Sequence, residues 1–330
     1  MIDGIPKISI LIICYKQEIL IRRAIDSLLR QKDYIYEICV SDDCSPDGTW
    51  EVLKQYSNKN PGLFKLHRND PNVGIFENIE QSWKMPTGDI IYQLSGDDEC
   101  GEEWLKTVVE FIKDNKIDYK NQLFCIYGDY QAKYLSGDSF VMRNKAILSG
   151  YNPLGLALRK LICNRSTCFS KNVLDKYIKV SEGRSYSVES AQDMQLQIFS
   201  ENNYYISHIG NIYHTGIGVS TGKNKVAPKL DPKTPMESLN YVIEYSGYSL
   251  PYKDIKLMKF YQQRAKWRNE LILNPSKDTF INRLCKTFQL NIIRISSYEM
   301  KLGLMSRRAK RLLFAIARRL PHKRQLHWYI

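Results

Sequence analysis

Eight cysteines are present among 330 residues, but they form no C-x-x-C pair and no Cys/His spacing of a zinc site. They are scattered at 14, 39, 44, 100, 125, 163, 168 and 285. Three of them (Cys14, Cys39, Cys125) fall within apolar runs, where a reduced thiol acts as a small hydrophobe. A disulfide framework and a structural zinc site are therefore not expected. Long hydrophobic runs are missing too. Residues 8–13 lead directly into Cys14-Tyr15-Lys16 without a small-residue cleavage site, and the longest apolar run near the C-terminus is residues 312–317. A spanning helix needs about 20 apolar residues, so the sequence reads as that of a cytoplasmic protein.

Acids are nearly absent from residues 281–330, where twelve Lys and Arg face only Glu299. Most of the formal net charge of +13 therefore resides in this tail, and the first 280 residues are close to neutral. Hydrophobic content of 43% and charged content of 25% are ordinary for a folded protein, so large-scale disorder is not expected.

Within residues 7–115 short branched apolar runs alternate with segments of helical periodicity. Strands are predicted at 7–13, 35–40, 63–67 and 89–94, and helices at 17–30, 48–56, 73–84 and 102–114. Asp47 is a candidate N-cap for the second helix. Fourfold alternation of this kind predicts an α/β fold, a mostly parallel sheet flanked by helices. Further strands are predicted at 123–130 and 204–213, and a helix at 191–199. Residues 218–236, rich in Gly, Lys, Pro and Thr, read as a loop. The predicted boundaries are a domain over 1–236, with a nucleotide half to 115 and an acceptor half from 116, followed by a helical basic region over 237–330.

Ligands of open α/β sheets bind beyond the carboxyl ends of the strands. Two acidic clusters fall there: "SDDCSPDGT" after the second strand and "SGDDE" after the fourth. Asp97, Asp98 and Glu99 are adjacent carboxylates that repel one another unless a cation or several donors relieve them. One such cluster is commonly a solvated turn. Two on one sheet edge point to a site.

Taken in order, these stretches resemble family 2 inverting glycosyltransferases of the GT-A, Rossmann-like fold. The resemblance rests on the Ser-Leu-Leu-x-Gln helix end, the Asp-Asp-x-Ser-x-Asp-Gly-Thr turn, Asn72-Val73-Gly74, and the Gly-Asp-Ile-Ile strand entering "SGDDE". It is strong over residues 7–115 and weaker over 120–220. It implies that Asp42 and Asp43 contact base and ribose, with Tyr15 as the aromatic near the base. Lys16 stands where the family usually has Asn. Asp97 matches the last Asp of the Asp-x-Asp motif and is implied as the ligand of Mg²⁺ or Mn²⁺, bridging to the donor diphosphate. Ser95 replaces the first Asp and keeps only a hydroxyl for the ribose. Asp98 is a second ligand, an acceptor-side group or a helix N-terminal acid.

Within "AQDMQLQIF", Asp193 is the implied catalytic base and Gln192 stands where a Glu is usual; Glu189 is the fallback. His214 of "IYHTGIGVS" is implied at the metal or diphosphate, with Ser220 and Thr221 beyond it as phosphate contacts. The expected activity is transfer from a nucleoside-diphosphate sugar, UDP-linked, to a glycan or lipid-linked acceptor in surface polysaccharide synthesis. The alternative is a GT-A-like nucleotide-sugar binding protein that has lost catalysis, consistent with Ser95 and Gln192. On a helical wheel residues 304–320 are basic on one face and apolar on the other, as suits an anionic membrane surface. That places the protein on the inner face of the plasma membrane. Packing of this helix on the catalytic domain or a second subunit is the competing reading. Nucleic acid is not an expected partner, since no fold that binds it is recognisable.

Overall fold

The computed structural model describes residues 5–149, 164–178, 188–217 and 279. All of these except Thr279 belong to one of the chain's two compact units. The basic helix expected near 304–320, the loop at 218–236, and Ser220 and Thr221 lie outside the described residues.

Four strand–helix units come first: β1 (Ile8–Cys14), α1 (Leu20–Leu29), β2 (Glu37–Asp42), α2 (Thr49–Lys59), β3 (Phe64–Arg68), α3 (Ile75–Trp83), β4 (Ile90–Ser95) and, after a short β5 (Glu99–Cys100), α4 (Trp104–Asp114). The second half contributes β6 (Phe124–Tyr134), β7 (Ser139–Met142), β8 (Thr167–Ser170), α5 (Lys171–Tyr177), α6 (Val188–Phe199) and β9 (Asn202–Thr215). The described strands form one sheet in the order β3-β2-β1-β4-β8-β6-β9-β5, with β7 paired to β6. β1 runs parallel to β2 and β4, β2 to β3, and β6 to β9. β8 is antiparallel to both β4 and β6, joining the two parallel blocks.

Side chains along a strand alternate between faces. Ile8, Ile10, Ile12 and Cys14 of β1 join Ile38 and Val40 of β2 and Ile90, Tyr92 and Leu94 of β4 in one apolar layer. α1, α2 and α4 cover it with Ile21, Ile25, Leu28, Val52, Leu53, Trp104 and Leu105. Leu11 is equally buried on the other face, as are Ile79 and Trp83 of α3. Burial on both faces is why β1 reads as a continuous apolar run rather than an alternating one.

The lower edge of the sheet is fixed by Glu37, which is 3% exposed. Its carboxylate accepts from Ser9 Oγ (2.6 Å) and Thr87 N (2.6 Å) and pairs with Lys65 Nζ (2.5 Å). Burial pushes its pKa up, but Lys65, Ser9 and Thr87 outweigh burial and hold it below the usual Glu value. Glu37→Gln removes the charge and is expected to destabilise the fold by about 1–3 kcal/mol in urea unfolding. An unchanged midpoint would show that the network is cosmetic.

Candidate active site

The upper edge gathers the ends of β2, β1 and β4, because Cys14 is in register with Asp42 and Ile13 with Ser95. Lys16, just past β1, has φ 54°. Asn tolerates that left-handed region better than most residues, which gives a physical reason for the Asn that the family usually places there. The Lys16 ammonium lies 5.1 Å from the Tyr15 ring.

The first acidic turn is tightly engaged by the protein itself. Asp42 is fully buried, accepts from Ser45 N (3.1 Å) and Ser45 Oγ, and pairs with Arg68 Nε at 3.4 Å. Asp43 accepts from Asn69 Nδ2 (3.0 Å), Asn72 Nδ2 (2.9 Å), Val73 N (2.9 Å) and Gly74 N (2.9 Å). A carboxylate offers about four lone-pair sites, so Asp43 is occupied in latching the Asn-x-Gly loop at the start of α3.

The second acidic turn is different. Asp98 is 1% exposed, and Arg165 Nη1 lies 3.4 Å from its Oδ2. The His214 amide donates to Asp98 Oδ1 at 3.3 Å. Burial and the neighbouring Asp97 push the Asp98 carboxyl up to about 7, against the pull of Arg165, the His214 amide and Asn211. Burial also raises Asp97, with Arg165, Arg23 and His214 opposing it. Arg23 Nη2 donates to the Asp97 carbonyl at 2.5 Å. His214 Nε2 lies 2.6 Å from Glu99 Oε1. Burial lowers the His214 pKa despite the carboxylate beside it.

Next to this turn is a cavity of about 150 Å³ lined by Gln93, Ser95, Asp98, Arg165, Thr167, Phe169, Gln192, Asp193, Leu196 and Asn211. Ser95, Asp98 and Asp193, separated by almost a hundred residues in sequence, thus face one space. β4 supplies Gln93 and Ser95, α6 supplies Gln192 and Asp193, and β9 supplies Asn211. Gln192 Nε2 donates to Gln93 Oε1 at 2.7 Å, tying α6 to β4. Asp97 and His214 are not in this lining, and neither are Tyr15, Asp42 and Asp43, which lie farther along the same edge.

Gln93, Arg165 and Asn211 were not foreseen. Gln93 had a signal, since it is a polar residue two positions before Ser95 at the end of an apolar strand. Arg165 had none, being brought in by the antiparallel insertion of β8. Its guanidinium stacks on the Tyr213 ring at 3.8 Å.

Among the described residues no group of three or more His, Cys, Asp and Glu could hold a metal unaided. The donor set nonetheless suits a hard cation that takes most of its ligands from a diphosphate and water. Asp97 and Asp98 are two crowded carboxylates, both raised by burial, which is a charge excess that a divalent ion relieves.

Residues 9–149 match the family model described as glycosyl transferase family 2. Curated relatives include EpsE of Bacillus subtilis, 30% identical over 111 residues, or 34% of this chain and 40% of EpsE. Poly(ribitol-phosphate) beta-glucosyltransferase of Bacillus spizizenii is 33% identical over 114 residues, covering 34% of this chain and 18% of that one. The chain therefore covers well under two thirds of these relatives. In fold it resembles the crystal structure of S. aureus TarS 1-349 in complex with UDP-GlcNAc, with TM-score 0.62 and 17% identity over 87% of this chain and 80% of that one. A mannosyltransferase from Pyrobaculum calidifontis, in complex with GDP-Man and Mn²⁺, has TM-score 0.51 and 13% identity over 96% and 81% of the two chains. Residues 9–149 are thus similar to glycosyl transferase family 2, and the fold is of the GT-A class.

Proposed function

We propose that the protein is an inverting glycosyltransferase that moves a sugar from a UDP-sugar to a glycan or lipid-linked glycan during surface polysaccharide synthesis. The observation that carries this is the convergence of Ser95, Asp98 and Asp193 on one cavity, with Asp97 next to Asp98 in the chain although outside the lining. The UDP-GlcNAc complex of TarS and the glucosyltransferase from B. spizizenii support the donor and polymer classes by analogy.

Asp97 and His214 would hold Mg²⁺ or Mn²⁺ together with the donor diphosphate. A bound cation of this kind supplies positive charge against the leaving group. Asp193 accepts the proton of the acceptor hydroxyl as that oxygen bonds to the anomeric carbon. The anomeric bond to the diphosphate breaks, and its electron pair leaves with the nucleotide. Attack from the face opposite the leaving group inverts the centre. Ser95 faces the ribose and Tyr15 the base. Asp42 and Asp43 would contact base and ribose, held in place by Arg68 and the 69–74 loop. The basic tail would place the domain at an anionic membrane carrying the acceptor.

The test is release of UDP from a panel of UDP-sugars with membrane acceptor, with and without Mn²⁺. Turnover that needs the cation and falls about a hundredfold or more in Asp97→Ala supports the proposal. UDP-sugar binding without turnover on any acceptor would favour a binding protein that has lost catalysis.

A further inference from the structure

His214 is held in a way that its position in sequence does not disclose. β5 pairs antiparallel with β9, with Glu99 opposite Ile212. His214 is two residues beyond Ile212, hence on the same face and diagonal to Glu99, within reach of a long side chain. Its Nε2 meets Glu99 Oε1 at 2.6 Å, while its backbone amide donates to Asp98. Among the described residues His214 Nδ1 makes no hydrogen bond. Arg23 Nε lies 3.7 Å from that same Glu99 Oε1, and Arg30 Nη2 lies 3.9 Å from Oε2. Arg23 also grips the Asp97 carbonyl.

We propose that Glu99 is a positioning residue that fixes the tautomer of His214. A carboxylate can only accept, so the proton sits on Nε2 and Nδ1 keeps its lone pair. The imidazole is thereby presented by Nδ1 as a ligand near Asp97. A histidine that binds a metal commonly gives its other N–H to a carboxylate or carbonyl, and loss of that partner typically costs 10–100-fold in metal affinity. Through Arg23 the same carboxylate couples the ring to the backbone of Asp97. Close approach of β5 to β9 makes the arrangement possible, and Gly101 permits it: a Cβ there would stand 1.7 Å from the Ile209 carbonyl oxygen.

This inference rests on the nucleotide-sugar reading above. Its test is calorimetric titration of UDP into the 330-residue chain, with and without Mn²⁺, so that cation-dependent affinity is read directly rather than through activity. Glu99→Ala is expected to lose about tenfold or more of the affinity for UDP with Mn²⁺, and less than about twofold for UDP alone. Glu99→Gln, which keeps the shape but no longer dictates the tautomer, should lose an intermediate amount. His214→Ala should match Glu99→Ala, and the double variant should lose no more than the worse single. Equal losses with and without Mn²⁺, unchanged binding in Glu99→Ala, or additive losses in the double variant would each overturn the role of Glu99. Parent protein that binds UDP no better with Mn²⁺ would instead overturn the metal-assisted reading, and this inference with it.

Discussion

Asp193→Asn is expected to lower kcat for sugar transfer by about 10²–10⁴-fold and to leave the donor KM within about threefold. The substitution keeps size and hydrogen bonding but removes the proton acceptor. Asp193 lines the cavity from the first half of α6, together with Ser95 and Asp98. Its neighbour Gln192 is 5% exposed and committed to Gln93, so it fixes the helix and cannot serve as a base. The remaining acid in the cavity is Asp98, whose carboxyl is raised to about 7 by burial and by Asp97. A pKa near neutrality would also suit a base. The two are separated by their surroundings: Asp98 faces Arg165 and the His214 amide, on the side of the acidic turn, whereas Asp193 is carried by a helix on another wall. Single-turnover assays with donor in excess decide the matter. If Asp193→Asn transferred sugar at the parental rate and Asp98→Asn did not, the base would be Asp98 and the assignment would be reversed.

Most of the first half was legible in the sequence because its strands are buried on both faces and its helices carry clear apolar stripes. The predicted strand at 89–94 became Ile90–Ser95, and the predicted helix at 102–114 became Trp104–Asp114. Asp47 was expected to cap α2 directly. The structure places Gly48 at the cap, with Asp47 Oδ1 accepting from Thr49 N at 3.2 Å and from Thr49 Oγ1, so the acid acts one position earlier, as a turn. What could not be read was non-local. β8 is four residues long and entirely buried, with too few positions for a period to show, and its place between β4 and β6 depends on pairings roughly 40 and 80 residues away in sequence. Arg165 enters the cavity only because of that insertion. In the same way the acidic turns carried their chemistry in sequence but not their partners. That Asp43 is taken up by four donors from residues 69–74, whereas Asp98 meets Arg165 at 3.4 Å and the His214 amide at 3.3 Å, follows from which loops fold over which strand end.

Asp98→Asn is expected to stabilise the ligand-free protein at pH 8 and to remove most of its loss of stability between about pH 5 and pH 8. In the folded chain the Asp98 carboxyl is raised from 3.8 to about 7, chiefly by burial and next by Asp97. Below about pH 4 the group is protonated whether the chain is folded or not, and contributes no pH dependence. Between about 4 and 7 the folded protein holds a proton that the unfolded chain has released, so stability falls as pH rises through this window. Above 7 both forms are ionised and the loss is complete. A shift of this size sets a ceiling of about 4 kcal/mol; relaxation and water in the cavity should reduce it to about 1–3 kcal/mol. Asp97, raised by burial as well, adds in the same direction. Glu37 acts with the opposite sign: its lowered pKa gives stability that is lost as pH falls through the acid range. The ligand-free domain should therefore be most stable at mildly acidic pH. Urea midpoints from pH 4 to 9 for the parent and Asp98→Asn measure this. A parent curve flat between pH 5 and 8 would mean that Arg165 already holds Asp98 ionised throughout. The acidic turn would then carry its full charge before any substrate arrives. A falling curve that Asp98→Asn flattens means instead that the folded turn stores a carboxyl at odds with its surroundings, which a bound cation and diphosphate would relieve.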